Sequence, residues 1–123
     1  MFEDKNAEDA MNYYVSIFPA SEVIEIVRFN AGDIGPEGTI KKAKFSLNGQ
    51  HIFCTDTPIK HGFGFTPSIS FFVDCESEEE ITRLSSSLQE GGKVYMPLGD
   101  YGFSTHFAWV GDRFGVTWQL NLA

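Results

Sequence analysis

Long apolar runs are missing from this chain. None approaches the ~18 residues that a membrane-spanning helix requires. Basic residues are scarce: nine Lys and Arg stand against 17 Asp and Glu, for a formal net charge of −8. Such a surface repels phosphate backbones and anionic lipid, so neither nucleic acid nor a membrane is expected as a partner. Cysteine is nearly absent. Cys54 and Cys75 are the only two, too few for a disulfide framework, and both lie in apolar stretches that suit small buried hydrophobes. No secretory pattern precedes Ala7, so a reduced, cytoplasmic protein is expected. Two chemical signatures are also lacking. His51, His61 and His106 fall in no HxH or HxxxH spacing, so a joint metal site would need tertiary convergence. No Gly-rich strand-to-helix turn is followed by an acidic ribose partner, so a nucleotide-type cofactor site is not legible.

What is present is a globular composition. The 123 residues are 42% hydrophobic and include twelve Phe. A chain of this length makes a single domain that buries roughly two-thirds of the surface it exposes when unfolded. Asn6 is placed to cap a helix with Glu8 and Asp9 in its first turn. Ala7, Ala10, Met11, Tyr14 and Phe18 form its apolar stripe, and Pro19 stops it. Residues 22–30 and 39–47 alternate as strands, and Asn48-Gly49 is the strongest hairpin signal. Residues 50–56 continue as a strand, and residues 57–67 are irregular. Residues 68–75 read as an apolar strand. Ser77 and Glu80 have capping-box spacing ahead of the stripe Ile81, Leu84, Ser85 and Leu88, which Gly91-Gly92 closes. Residues 93–96 make a short strand, 97–103 a Gly-rich loop, and 104–110 and 116–122 the last two strands.

The order helix, three strands, linking strand, helix, three strands is an internal repeat. Phe18 answers Leu88, Val23 answers Val94, and Asn48-Gly49 answers Gly111-Asp112. Each half has one helix to cover one sheet face, which leaves the other faces free to form a shared cleft.

The last strand is the most informative. Val116, Trp118, Leu120 and Leu122 point one way; Thr117, Gln119 and Asn121 point the other. A solvated polar face explains this alternation; so does the floor of a binding cleft. Of the histidines, His61 and His106 are the better cleft candidates, because loops and strand ends border such cavities. Asp56 and Asp74 end strands and could act as bases, although a solvated acid is the default there. Cys54 could be a nucleophile beside a histidine, but with no sequence-local activator inert packing is expected. Aromatic residues in the two Gly-rich loops, such as Phe63, Phe65, Tyr101 and Phe103, serve either the core or an apolar pocket.

Several stretches together resemble one family. They are 7–14 (AEDAMNYY), Ile17-Phe18-Pro19, Gly35-Pro36-Glu37-Gly38-Thr39, Leu47-Asn48-Gly49-Gln50, Ser70-Phe71-Phe72-Val73, and 112–119 (DRFGVTWQ). The combination, which covers nearly the whole chain, is similar to the PhnB-like group of the vicinal oxygen chelate (glyoxalase/bleomycin-resistance/dioxygenase) superfamily. That group also carries the label 3-demethylubiquinone 3-methyltransferase-like. The resemblance implies an α+β fold of paired βαβββ modules, a curled mixed sheet with its helices outside. Module one would span about 1–57 and module two about 67–123. It implies a small-molecule cleft, for which Gln119, Thr117, Ser68, Ser70, His106 and His61 are the candidate residues, and a homodimer.

Three departures bear on chemistry. The group has a full strand before the first helix that supplies one ligand; here only Met1-Phe2 remain of it, either cut short or minimal. Ser68 stands where the metalloenzymes of the superfamily place a histidine, and Gln119 where they place a glutamate. A neutral amide is a much weaker ligand for a divalent cation than a carboxylate. The expectation is therefore a metal-free binding protein with no cofactor. The alternative is a metal-dependent lyase, isomerase or dioxygenase relative holding a divalent metal. No residue is assigned a catalytic role, and the methyltransferase label finds no support in the residues.

Overall fold

In the computed structural model, which describes all 123 residues, Ala7, Ala10, Met11 and Tyr14 are buried along one side of helix α1 (Ala7–Ile17). Their i, i+3, i+4 and i+7 spacing makes one stripe. Phe18 turns extended ahead of Pro19 and ends the helix. Asn6 occupies the cap position but makes no side-chain cap bond. The cap comes from far along the chain instead: Ala7 N donates to Asp56 Oδ1 at 3.0 Å. The other oxygen, Oδ2, accepts from Ile40 N at 2.8 Å. Asp56 is thus not the solvated strand-end acid that its position suggests. It is only 5% exposed, and two backbone donors that would otherwise be orphaned hold it there.

Strands β1 (Glu22–Arg28), β2 (Ile40–Leu47) and β3 (Gln50–Cys54) form an antiparallel sheet in the order β1-β2-β3. Asn48 and Gly49 both have positive φ, 48° and 88°, as the tight β2–β3 turn requires. Ala43 and Phe45 are buried beneath α1, with the Phe45 ring 6.5 Å from that of Tyr14. The first strand is reduced to a single parallel bridge, Phe2 with Asp56. Phe2 N donates to Thr55 O and Thr57 N to Phe2 O, both at 2.8 Å.

The second half comprises β4 (Phe71–Asp74), α2 (Glu78–Gln89), β5 (Lys93–Gly99), β6 (His106–Gly111) and β7 (Thr117–Leu122). Its sheet runs β4-β7-β6-β5, with β4 parallel to β7 and the other pairs antiparallel. The capping box of α2 forms as the sequence predicts on one side: Glu80 N donates to Ser77 Oγ at 3.1 Å. The return bond goes one residue further out, from Glu76 N to Glu80 Oε1 at 3.2 Å. Ile81, Leu84 and Leu88 of α2 are fully buried, as are Ala108, Val110, Trp118 and Leu120 of the sheet beneath. Gly92 packs so tightly on the β6–β7 turn that a Cβ would sit 1.9 Å from Gly111 O.

The strand limits differ most from the sequence reading at β4 and β5. Ser68 and Ser70 precede β4, which keeps only four residues. β5 continues through Pro97 to Gly99 rather than stopping at Met96. Pro97 is tolerated because β5 is the sheet edge, where a missing N–H breaks no inner ladder. The register there is irregular on both sides of Met96. The chain divides into two compact units, Met1–Gly64 and Phe65–Ala123. Each is α+β, and in each the first segment runs parallel to the last strand. No helix is long and apolar enough to cross a membrane.

Candidate functional site

The β7 alternation separates two surfaces of the second unit. Trp118, 1% exposed, and Leu120 are buried on the α2 side. Thr117, Gln119 and Asn121 therefore face away from that helix. On that far face Thr117 and Asn121 each have a hydrogen-bond partner from the β4 segment. Ser70 Oγ lies 2.6 Å from Thr117 Oγ1, and Thr117 Oγ1 donates to Ile69 O at 2.8 Å. A threonine hydroxyl has one proton, so Ser70 is the donor to Thr117. Asn121 Nδ2 donates to Asp74 Oδ1 at 3.1 Å. Between these two closed rungs, Gln119 pairs in register with Phe72 on one side and Trp109 on the other. Neither offers it a bond, and its carboxamide is left without a side-chain partner.

Aromatic rings surround this open rung. Phe72 is 59% exposed. The Tyr95 ring lies 5.0 Å from that of Trp109, tilted by 32°. Trp109 Nε1 is buried and has no hydrogen-bond partner. By contrast the other indole, that of Trp118, donates to Asp112 Oδ2 at 2.9 Å.

The sequence candidates fall in different places. Ser70, Thr117 and Gln119 share the far face of the second unit. Ser68 lies in the loop before it, with its hydroxyl 3.1 Å from Thr66 Oγ1. His106 has the parity of Ala108 and Val110, so it points to the α2 side, with Nε2 3.7 Å from Glu78 Oε1. Its Nδ1 is buried without a partner. His61 belongs to the first unit, where Nε2 lies 2.9 Å from Thr57 Oγ1 and the ring stacks on Phe63 at 5.3 Å. The sequence reading missed Trp109 and Tyr95 as site residues. For Trp109 the signal was the alternation of the strand already read at 104–110, which sets it opposite Ala108 and Val110; Tyr95 depends on the register irregularity beside Met96.

The donor set around Gln119 does not fit a divalent metal. Its cross-strand neighbours are Phe72 and Trp109, and the hydroxyls of Ser70 and Thr117 already bond one another. No cluster of three or more His, Cys, Asp or Glu side chains is placed to hold an ion. The cysteines are not poised as nucleophiles. Burial, then the Asp56 charge, pushes the Cys54 thiol up to about 11. Burial, then Glu80, pushes Cys75 up to about 12. In the first unit a cavity of about 160 Å³ is lined by Lys5, Thr39, Asp56 and Lys60 among others. It is smaller than the few hundred Å³ of usual ligand pockets, and its Asp56 is already occupied by backbone donors.

Comparison with known proteins agrees with this architecture. The family model described as 3-demethylubiquinone-9 3-methyltransferase matches residues 1–121. A PhnB protein from Bacillus cereus is 48% identical, over 100% of this chain and 95% of that one, with a TM-score of 0.96. Protein PA1353 from Pseudomonas aeruginosa shares the fold at 24% identity, over 99% and 92% of the two chains, with a TM-score of 0.82. TioX from Micromonospora sp. ML1 shares it more distantly, at 17% identity, over 99% and 91%, with a TM-score of 0.59. No curated protein matches the chain. With the match running almost from end to end and a relative at nearly half identity, the chain belongs to the PhnB-like, 3-demethylubiquinone-9 3-methyltransferase family.

Proposed function

We propose that this protein binds a small molecule on the Gln119 face of its second unit, without the metal used elsewhere in the superfamily, in a reduced, cytoplasmic setting. The observation that carries this reading is the open rung. Gln119 is unpaired between two hydrogen-bonded rungs, Ser70–Thr117 and Asp74–Asn121, and is flanked by aromatic rings. Apolar walls with a few free polar groups are what a ligand site needs. A carboxamide gives hydrogen bonds in both directions but brings no charge to a cation. Methyl transfer is left out, since the sequence has no Gly-rich strand-to-helix turn followed by an acidic ribose partner for a nucleotide-type donor.

The proposal includes a homodimer. Phe53 is 56% exposed, a large ring on a sheet face that a second copy would cover. Elemental analysis of protein prepared without chelator or affinity tag tests the metal-free reading. The expected result is no stoichiometric divalent metal. One zinc, nickel, manganese or iron per chain, lost on Gln119→Ala, would instead favour a metal-dependent lyase, isomerase or dioxygenase.

A further inference from the structure

The indole N–H of Trp109 is a donor with nothing to donate to. An unpaired buried N–H is costly, and native structures rarely keep one without a reason. Here it sits in register with Gln119, whose half-buried carboxamide has no hydrogen bond within the protein. The fold's other indole shows that the chain satisfies such a group where no ligand is called for, through Asp112. Trp109 and Gln119 share one sheet face with Phe72 and Tyr95. Tyr95 lies on the irregular edge strand β5, 38% exposed, with its ring against Trp109.

We infer that the ligand of this face is a flat aromatic compound carrying a hydrogen-bond acceptor in or on its ring, which takes the Trp109 N–H. The inference rests on the small-molecule reading above and names the ligand's class. The ring stacks among Phe72, Trp109 and Tyr95, with Tyr95 yielding to expose the indole edge. The acceptor, a ring nitrogen or a carbonyl oxygen, accepts a hydrogen bond from the Trp109 N–H, and Gln119 bonds the neighbouring polar position. Aromatic faces supply area, and the N–H supplies the discrimination, because a ligand without an acceptor leaves it unpaired.

Two soluble amines of the same shape and charge test this: 6-(aminomethyl)quinoline, with a ring nitrogen, and 2-(aminomethyl)naphthalene, without one. Each is titrated into nitrogen-15-labelled protein. The quinoline is expected to move the Trp109 indole and Gln119 carboxamide resonances, leave the Trp118 indole in place, and bind about tenfold more tightly than the naphthalene. In Trp109→Phe the two amines are expected to bind alike. If that variant fails to fold, the comparison in the native protein decides. Equal affinity of the two amines at the same resonances would overturn the acceptor inference and leave the binding face standing. No movement of either resonance with either amine would overturn both.

Discussion

Asp112 shows how much one residue can organise. Its Oδ1 accepts from Phe114 N at 2.9 Å and Val116 N at 3.1 Å, and its Oδ2 from Trp118 Nε1. In sequence it reads as a turn residue only. The turn bonds are local and legible, whereas the tie to Trp118 depends on the strand folding back beside the turn. Asp112→Ala leaves two buried donors and one part-buried donor unpaired and is expected to cost about 3 kcal/mol in urea unfolding. Asp112→Asn keeps two acceptor contacts but sets an NH₂ against the indole N–H, so a smaller loss of about 1–2 kcal/mol is expected. The cysteines predict a pH dependence. Both thiols are raised in the folded state from an ordinary 9.0. The unfolded chain therefore releases those protons first. Their contribution to stability is complete below about pH 9 and is lost as pH rises through 11 and 12. Urea midpoints should fall over that window, and less steeply in Cys75→Ala. At pH 8 a thiol reagent should label neither cysteine in the folded protein and both in denaturant.

At the scale of elements, the two helices begin by different means. Ser77 caps α2 locally, and Ser77→Ala is expected to cost about 1 kcal/mol. Asn6 does not cap α1, so Asn6→Ala should be close to neutral. Asp56→Ala removes the cap of α1 and the partner of Ile40 N together, and about 2–3 kcal/mol is expected. Thermal unfolding of the three variants ranks them, and Asn6→Ala costing as much as Asp56→Ala would refute the assignment. The sequence reading placed both helices, the order of the strands and the Asn48-Gly49 turn correctly, because each is written in local periodicity and turn chemistry. It stopped β5 at Met96, since Pro97 breaks strands except at an edge, and which strand is an edge is a property of the sheet. That Thr117 and Gln119 share one face followed from alternation along β7, whereas Ser68, expected beside them from the family's ligand positions, lies in the loop before β4 with its hydroxyl at Thr66. The placement of His106 toward α2 required knowing where its strand lay.

At the scale of the whole molecule, the repeat recognised from element order proves to be topological. Phe2 bonds beside Asp56 as β4 bonds beside β7, although the first case has shrunk to one bridge. The proposed dimer predicts twice the chain mass of 13.7 kDa by light scattering at micromolar concentration, and a monomer would count against it. The sheet order β4-β7-β6-β5 also fixes a sequence of events. β7 is the last of its unit's strands to be synthesised, yet it lies inside the sheet, and β4 waits for it across 47 residues, as Phe71 does for Trp118. Such a non-local closure is slow. In the first unit the inner strand β2 is made before its neighbour β3, so that sheet can form while the second is still incomplete. On the ribosome, then, α2 passes through a period with half of its floor, Trp118 and Leu120, not yet made. That exposed apolar stripe is where a chaperone would be expected to engage the nascent chain.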